Sequence, residues 1–213
     1  MSLRDTAIAN FFAAVRNETI KSGTTLSQSE LSAILGVSLS PLREALKLLE
    51  FQGFVKILPR SGVKIVESDM QRIKDCFQLR RILETAAIKR FVEFEQIKTL
   101  RPILQAHETL LRKIERQEPE DEILAALAPL DKDMHSRFIG ALKNEIIRQV
   151  YDTNQDHILL FRLDSIALTY HGLKSTCVEH IAILESALRG DVDAAVRALD
   201  DHLLQTMHRA MAL

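Results

Sequence analysis

The chain of 213 residues has no tryptophan, two tyrosines, five prolines, seven glycines and two cysteines. Each shortage excludes something. With so little glycine, the sequence holds no GxGxxG or GxxxxGK loop whose backbone amides would cradle a phosphate. Cys76 and Cys177 lie far apart and lack the paired spacing of a zinc finger, so both are expected to be buried free thiols. No apolar run reaches the length of about 18 residues that a membrane-spanning helix needs. The opening MSLRDTAIAN carries Asp5 and no apolar block, unlike a secretory leader. A cytoplasmic protein is expected.

What is present is ordinary for a soluble globular chain: 46% hydrophobic and 27% charged residues, with length enough for two modest domains. Long stretches with 3.6-residue periodicity predict a mainly α protein. The net charge of −1 hides an asymmetry. Residues 1–68 carry 8 basic against 6 acidic side chains, whereas residues 69–213 carry 20 against 23. The N-terminal part is therefore the end expected to meet an anion.

In that part, Ile8, Phe11, Phe12, Val15 and Ile20 share one face of a helix expected over residues 3–21, which Gly23 breaks. Ser27 followed by Glu30 forms a capping box, Leu31, Ile34 and Leu35 make the inward stripe, and Gly36 suits the left-handed end. Ser40 is placed to cap a second helix with Pro41 at its first position. Leu42, Ala45, Leu46 and Leu49 then repeat at helical spacing until Gly53. Two helices joined so tightly cross steeply, as in a helix-turn-helix whose second helix presents its N-terminal residues to a DNA major groove. FVKIL and VKIV alternate around PRSG, giving a hairpin from Phe54 to Val66 whose charges, Lys56, Arg60 and Lys64, are all positive. A basic hairpin there is a wing placed to meet phosphates. The competing reading is a three-helix packing unit that binds nothing.

The stretch ELSAILGVSLSPLREALKLLEFQGFVKILPRSGVKIV resembles the winged helix of the GntR family of bacterial transcription regulators. The resemblance implies double-stranded DNA as partner, read as a palindromic operator by a homodimer. It implies that Ser38, Ser40, Pro41 and Arg43 face the groove or phosphates, with Lys47 beside them and Arg60 and Gly62 in the wing. One position departs: Leu39 stands where the family usually has an arginine. Losing a charged base reader removes about 1–3 kcal/mol of discrimination, so DNA binding is expected while the operator sequence is left open.

Past Ser68 or Asp69, either of which can cap the next helix, only helices are expected. Their spans are 69–94, 96–116, 120–143, 144–151, 153–172, 174–189 and 191–211, with Pro102 and Pro129 bending or splitting theirs. The organisation that follows is a winged helix-turn-helix domain over 1–68 and an all-helical bundle over 69–213. Asp131 and His135 lie four apart on one helical face. His180 precedes the Gly190–Asp191 turn by ten residues and His202 follows that glycine by twelve, so both stand roughly 15–18 Å from the turn at similar height. If the helix of Asp131 packs alongside, three imidazoles and a carboxylate converge, a set that suits Zn²⁺, Ni²⁺, Mn²⁺ or Fe²⁺. Spacing alone leaves open ordinary core histidines and a surface Asp–His pair. His107, His157, His171 and His208 have no such partners and are read as ordinary residues.

Arg80 with Glu84, Asp131 with Met134 and His135, Asn144, Glu179 with His180, and finally His202 occur in an order similar to the FCD ligand-binding domain of FadR-type GntR regulators. That resemblance implies a divalent metal on Asp131, His135, His180 and His202, with a small organic acid effector docking beside it. Arg80 is the candidate for the effector carboxylate, the alternative being a simple pair with Glu84. Asn144 is expected to cap the helix NEIIRQVY. The expectation is thus a metal-containing, ligand-responsive repressor and not an enzyme. The rivals are a metal-dependent hydrolase, for which no base or nucleophile motif accompanies the ligands, and a DNA-binding protein whose helical half is purely structural.

Overall fold

The computed structural model describes residues 2–67, 69–162 and 170–211. The chain divides into two compact units. One runs to Ile73 and takes in the chain from Thr153; the other comprises Lys74–Asp152 and the last two helices.

The first unit contains α1 (Leu3–Arg16), β1 (Thr25–Leu26), α2 (Gln28–Leu35), α3 (Leu39–Phe51), β2 (Val55–Leu58) and β3 (Gly62–Ile65). α1 stops at Arg16, short of the expected residue 21. Glu18 turns the chain with a φ of 57°, and Ile20 enters the core from outside the helix. The Ser27–Glu30 capping box is formed on both sides, and Gly36 ends α2 with a φ of 62°. The second helix begins two residues earlier than Ser40 implied. Its N-cap is Ser38, whose side chain makes no capping bond, and Pro41 lies within the first turn. Proline is tolerated there because the amides of a first turn have no intrahelical partner to lose.

The hairpin forms as β2 and β3, and β1 joins it to give the antiparallel order β1-β3-β2. This two-residue strand was not expected from the sequence. Gly62 explains itself by this pairing: its φ is 112°, and a Cβ there would stand 2.5 Å from the Leu26 carbonyl oxygen. Phe11, Phe12 and Phe54 pack edge to face in the core, with Leu31, Leu42, Leu46 and Leu49 buried. His157 closes the end of α3: its ring stacks on Phe54 with centroids 4.1 Å apart, and Nε2–H donates to the Gln52 carbonyl at 2.9 Å.

The second unit is helical: α4 (Met70–Phe94), a 3-10 turn (Ile97–Leu100), α5 (Arg101–Glu115), α6 (Glu120–Ala141), the first part of α7 (Glu145–Arg162), α8 (Tyr170–Leu188) and α9 (Val192–Met211). Asp69 caps α4, accepting from the Arg72 amide at 2.7 Å, while Ser68 lies outside the described residues. Asn144 caps α7 through the amides of Ile146 and Ile147. Pro102 sits where the 3-10 turn becomes α5. Pro129 does not interrupt α6, which is held on either side of it by buried Leu127 and Met134.

Two expected breaks are absent. α7 runs through Asp152, so 144–151 and the start of 153–172 are one helix, and Tyr170–Lys174 lies within α8. Ile88, Phe91, Phe138, Leu184 and Leu199 join α4, α6, α8 and α9 in one core. Cys76 and Cys177 are buried and in no disulfide, and burial pushes Cys177 up to about 12. Among the described residues no helix is long and apolar enough to cross a membrane.

Candidate functional site

α6, α8 and α9 bring Asp131, His135, His180 and His202 together, with one donor atom from each lying within 4.8 Å of the others. His180 Nε2 is 3.3 Å from His202 Nε2 and 3.5 Å from Asp131 Oδ1, which in turn is 3.7 Å from His135 Nε2. Donors about 2.0–2.2 Å from a tetrahedral ion stand about 3.3–3.6 Å from one another, close to these three separations. The imidazoles are 0–2% exposed, whereas the Asp131 side chain is 36% exposed and forms the open side of the cluster.

Each imidazole is held from behind. His135 Nδ1 meets Glu84 Oε2 on α4, and His202 Nδ1 meets Glu179 Oε2 at 2.7 Å. A carboxylate only accepts, so each ring donates through Nδ1 and turns a bare Nε2 to the centre. His180 Nδ1 instead meets His107 Nε2 at 3.0 Å, and His107 Nδ1 meets the Ile103 carbonyl at 2.9 Å. The buried Nε2 of His135 has no hydrogen-bond partner.

The electrostatics favour the neutral form of His180, His202 and His107. Burial pushes His180 well below the usual histidine range, and the neighbouring His202, His135 and His107 push the same way. Burial also lowers His202 despite the opposing hydrogen bond that it donates to Glu179, and it lowers His107. Burial alone would raise Glu84, yet Arg80 and His135 override it and hold the carboxyl at about 2. Glu179 is likewise lowered against its burial by Arg209, which binds it through both terminal nitrogens at 2.7 and 2.8 Å, and by His202. Each anchoring carboxylate therefore has its own arginine. Arg80 gives Nε to Glu84, but its buried Nη2 has no partner. A cluster of bare nitrogens, one carboxylate and a spare guanidinium donor can hold a cation and, beside it, an anion.

Helical spacing marks the four central residues but not their supports. His107, read as ordinary, belongs to the site. Arg209 was missed, although its place seven residues after His202 puts it on the same helical face. Arg80 does form the pair with Glu84 that was weighed against an effector role, and one nitrogen is left over.

In the first unit, Ser38, Leu39, Ser40, Arg43 and Lys47 are exposed along α3 and Pro41 is half-buried among them. Arg43 Nε donates to Gln28 Oε1 on α2 at 3.0 Å. Arg60 is exposed at the hairpin tip with a φ of 66°, and Gly62 serves the close approach of β1 to β3.

The bacterial regulatory protein gntR family matches residues 4–65, and the FCD domain matches residues 75–205. The chain belongs to the GntR family and carries an FCD domain. Its fold is a winged helix-turn-helix followed by a helical FCD domain, and the family consists of transcription regulators, not enzymes. This GntR regulator is 25% identical over 182 residues to the uncharacterized HTH-type transcriptional regulator YdhC of Bacillus subtilis, covering 84% of this chain and 78% of that one. It is 29% identical over 136 residues to the gluconate operon transcriptional repressor of the same organism, covering 62% and 52%. The matched stretch thus spans about half the length of that repressor. A solved GntR transcriptional regulator from Rhodococcus sp. RHA1 shares the fold over 100% of this chain and 99% of the other, with a TM-score of 0.78 and 18% identity.

Proposed function

We propose that this GntR regulator is a homodimeric repressor that reads a palindromic operator and is controlled by a small organic acid bound beside a divalent metal. The observation that carries the proposal is the cluster of Asp131, His135, His180 and His202 donors within 4.8 Å, together with Arg80, which shares Glu84 with His135 and keeps a buried nitrogen without a partner.

Asp131 and the three Nε2 atoms would hold the ion, and Zn²⁺, Ni²⁺, Mn²⁺ and Fe²⁺ all accept this donor set. The ion supplies positive charge and open positions for an oxygen ligand. Charge balance says what the ligand is. Burial holds His180 and His202 toward the neutral form, Glu84 is matched by Arg80 and Glu179 by Arg209. A divalent ion on one Asp131 carboxylate therefore leaves an excess positive charge beside Arg80 Nη2. A carboxylate satisfies both, since guanidinium pairs with it through charged hydrogen bonds.

On the DNA side, Ser38, Ser40, Pro41, Arg43 and Lys47 would meet the major groove and its phosphates, with Arg60 and the wing held by Gly62 on the neighbouring backbone. Repression as the direction of control is supported by the likeness to a gluconate operon repressor. Effector coupling of about 1–3 kcal/mol would change DNA affinity about 5- to 150-fold.

The test is selection of bound sequences from a random duplex pool by the metal-loaded full chain, followed by titration of small mono-, di- and hydroxycarboxylic acids into the enriched complex. An enriched inverted repeat released by one class of acid is the expected result. Binding that stays salt-sensitive and indifferent to sequence, with or without acid, would sink the proposal.

A further inference from the structure

His107 lies on α5, outside the set of four donors, and is fully buried. We infer that it is a positioning residue for the metal centre, fixing His180 in the tautomer that turns a bare Nε2 toward the ion. The inference rests on the metal reading above and adds a residue to it.

The Ile103 carbonyl can only accept, so His107 Nδ1, 2.9 Å away, carries the hydrogen. A neutral imidazole has one N–H, which leaves His107 Nε2 as an acceptor. Its partner at 3.0 Å, His180 Nδ1, must therefore be the donor. His180 has then spent its own N–H, and Nε2, facing His202 and Asp131, is left with a lone pair. One backbone carbonyl of α5 thus decides, through two rings, which nitrogen of α8 becomes a ligand. The other two rings receive the same instruction from Glu84 and Glu179.

The choice of a histidine rather than a third carboxylate has a reason. Glu84 and Glu179 each sit against an arginine. A third carboxylate at the fully buried position of His107 would require a third buried cation, because an unmatched charge there is strongly unfavourable. His107 sets the tautomer without adding charge. A residue that merely filled space between α5 and α8 would have no need of two directed hydrogen bonds in series.

The experiment compares the full-length wild type with His107→Leu and His107→Gln. Leucine keeps the volume and abolishes the acceptor; the glutamine carbonyl can stand in for Nε2 while its amide donates to Ile103. Ring ¹⁵N shifts of the metal-free proteins read the tautomer of His180. Competition against a chromophoric chelator reads Zn²⁺ and Co²⁺ affinity, and melting of the metal-free proteins controls for folding. We expect the leucine variant to mix the His180 tautomers and to bind metal about 10- to 100-fold more weakly, with the glutamine variant within about threefold of wild type. A leucine variant within twofold of wild type, or equal losses in both variants, overturns the role of His107. Wild type that shows the single His180 tautomer yet takes up no ion would instead overturn the metal reading itself.

Discussion

The Nε2 atoms of His180 and His202 face each other across 3.3 Å, each on a ring whose Nδ1 is already donating to a neighbour. Two lone pairs at that distance repel unless positive charge lies between them, and burial disfavours a proton on either ring. A shared cation removes the repulsion and accepts Asp131 and His135 as well. In the reading proposed above, that cation is the divalent metal.

Added Zn²⁺, Ni²⁺ or Co²⁺ should therefore stabilise the folded protein. At a free ion concentration 100 times the dissociation constant the gain is about 2.7 kcal/mol. For a chain of this size that corresponds to a rise in melting temperature of about 5–10 °C. A chelator should reverse it, and the double variant Asp131→Ala, His202→Ala should show no rise. Calorimetric scans that are identical with and without each ion would remove the case for a metal.

Arg80 and Glu84 form a buried ion pair, 3% and 0% exposed. Replacing Arg80 with methionine leaves the Glu84 carboxylate buried without its cation, a loss of about 3–5 kcal/mol. Replacing Glu84 with glutamine as well should cost less than the sum of the single changes, because the uncompensated charge disappears with its partner. Urea unfolding of the four proteins of this cycle measures the coupling. Strict additivity would mean that the pair does not act as a unit.

His157 should make the winged helix sensitive to acid. Burial lowers its pKa below the usual value, the Gln52 carbonyl works in the opposite direction, and Arg72 nearby lowers it further. The folded state therefore binds fewer protons here than the unfolded chain. The contribution of His157 is complete above the unfolded value of about 6.5 and is lost as pH falls from there toward the folded value. The urea midpoint should drop between about pH 7.5 and about pH 5.5, and drop less in His157→Gln, which keeps a donor for Gln52 but does not titrate. An equal drop in both proteins would assign the acid sensitivity elsewhere.

What could be read in advance followed the range of the signal. The capping box at Ser27 and Glu30 and the glycine at 36 are local devices, and they appear as written. The height match of His180 and His202 is nearly local too, because a single helical hairpin turning at Gly190 and Asp191 sets it. His107 reaches His180 across 73 positions and Glu84 reaches His135 across 51, so these contacts depend on how helices pack and leave no mark in spacing. Asp152, Thr153 and Asn154 are poor helix formers and lie at the break expected after residue 151. There, packing of Tyr151 and Asn154, 2% and 6% exposed, overrides propensity. The misplaced start of α3 has a smaller cause. Ser38 and Ser40 are both good caps, and Pro41 is acceptable anywhere in the first turn.

Leu39 is the exposed apolar residue at the first position of α3, 40% accessible, on the face that carries Ser40 and Arg43. An aliphatic side chain cannot hydrogen-bond a base edge, but it can pack on the one apolar group the major groove offers, the methyl of thymine. The selected half-site should therefore contain a thymine whose replacement by deoxyuridine, which removes only that methyl, weakens wild-type binding about fourfold, the equivalent of one buried methylene. The same replacement should leave Leu39→Ala almost unaffected. Leu39→Arg should move the preference at that base pair toward guanine, whose O6 and N7 accept a guanidinium. Fluorescence anisotropy with the paired duplexes at fixed salt decides the matter. If each deoxyuridine substitution weakens wild type and Leu39→Ala equally, Leu39 does not read a base, and the operator is chosen by Ser38, Ser40, Arg43 and the shape of the DNA.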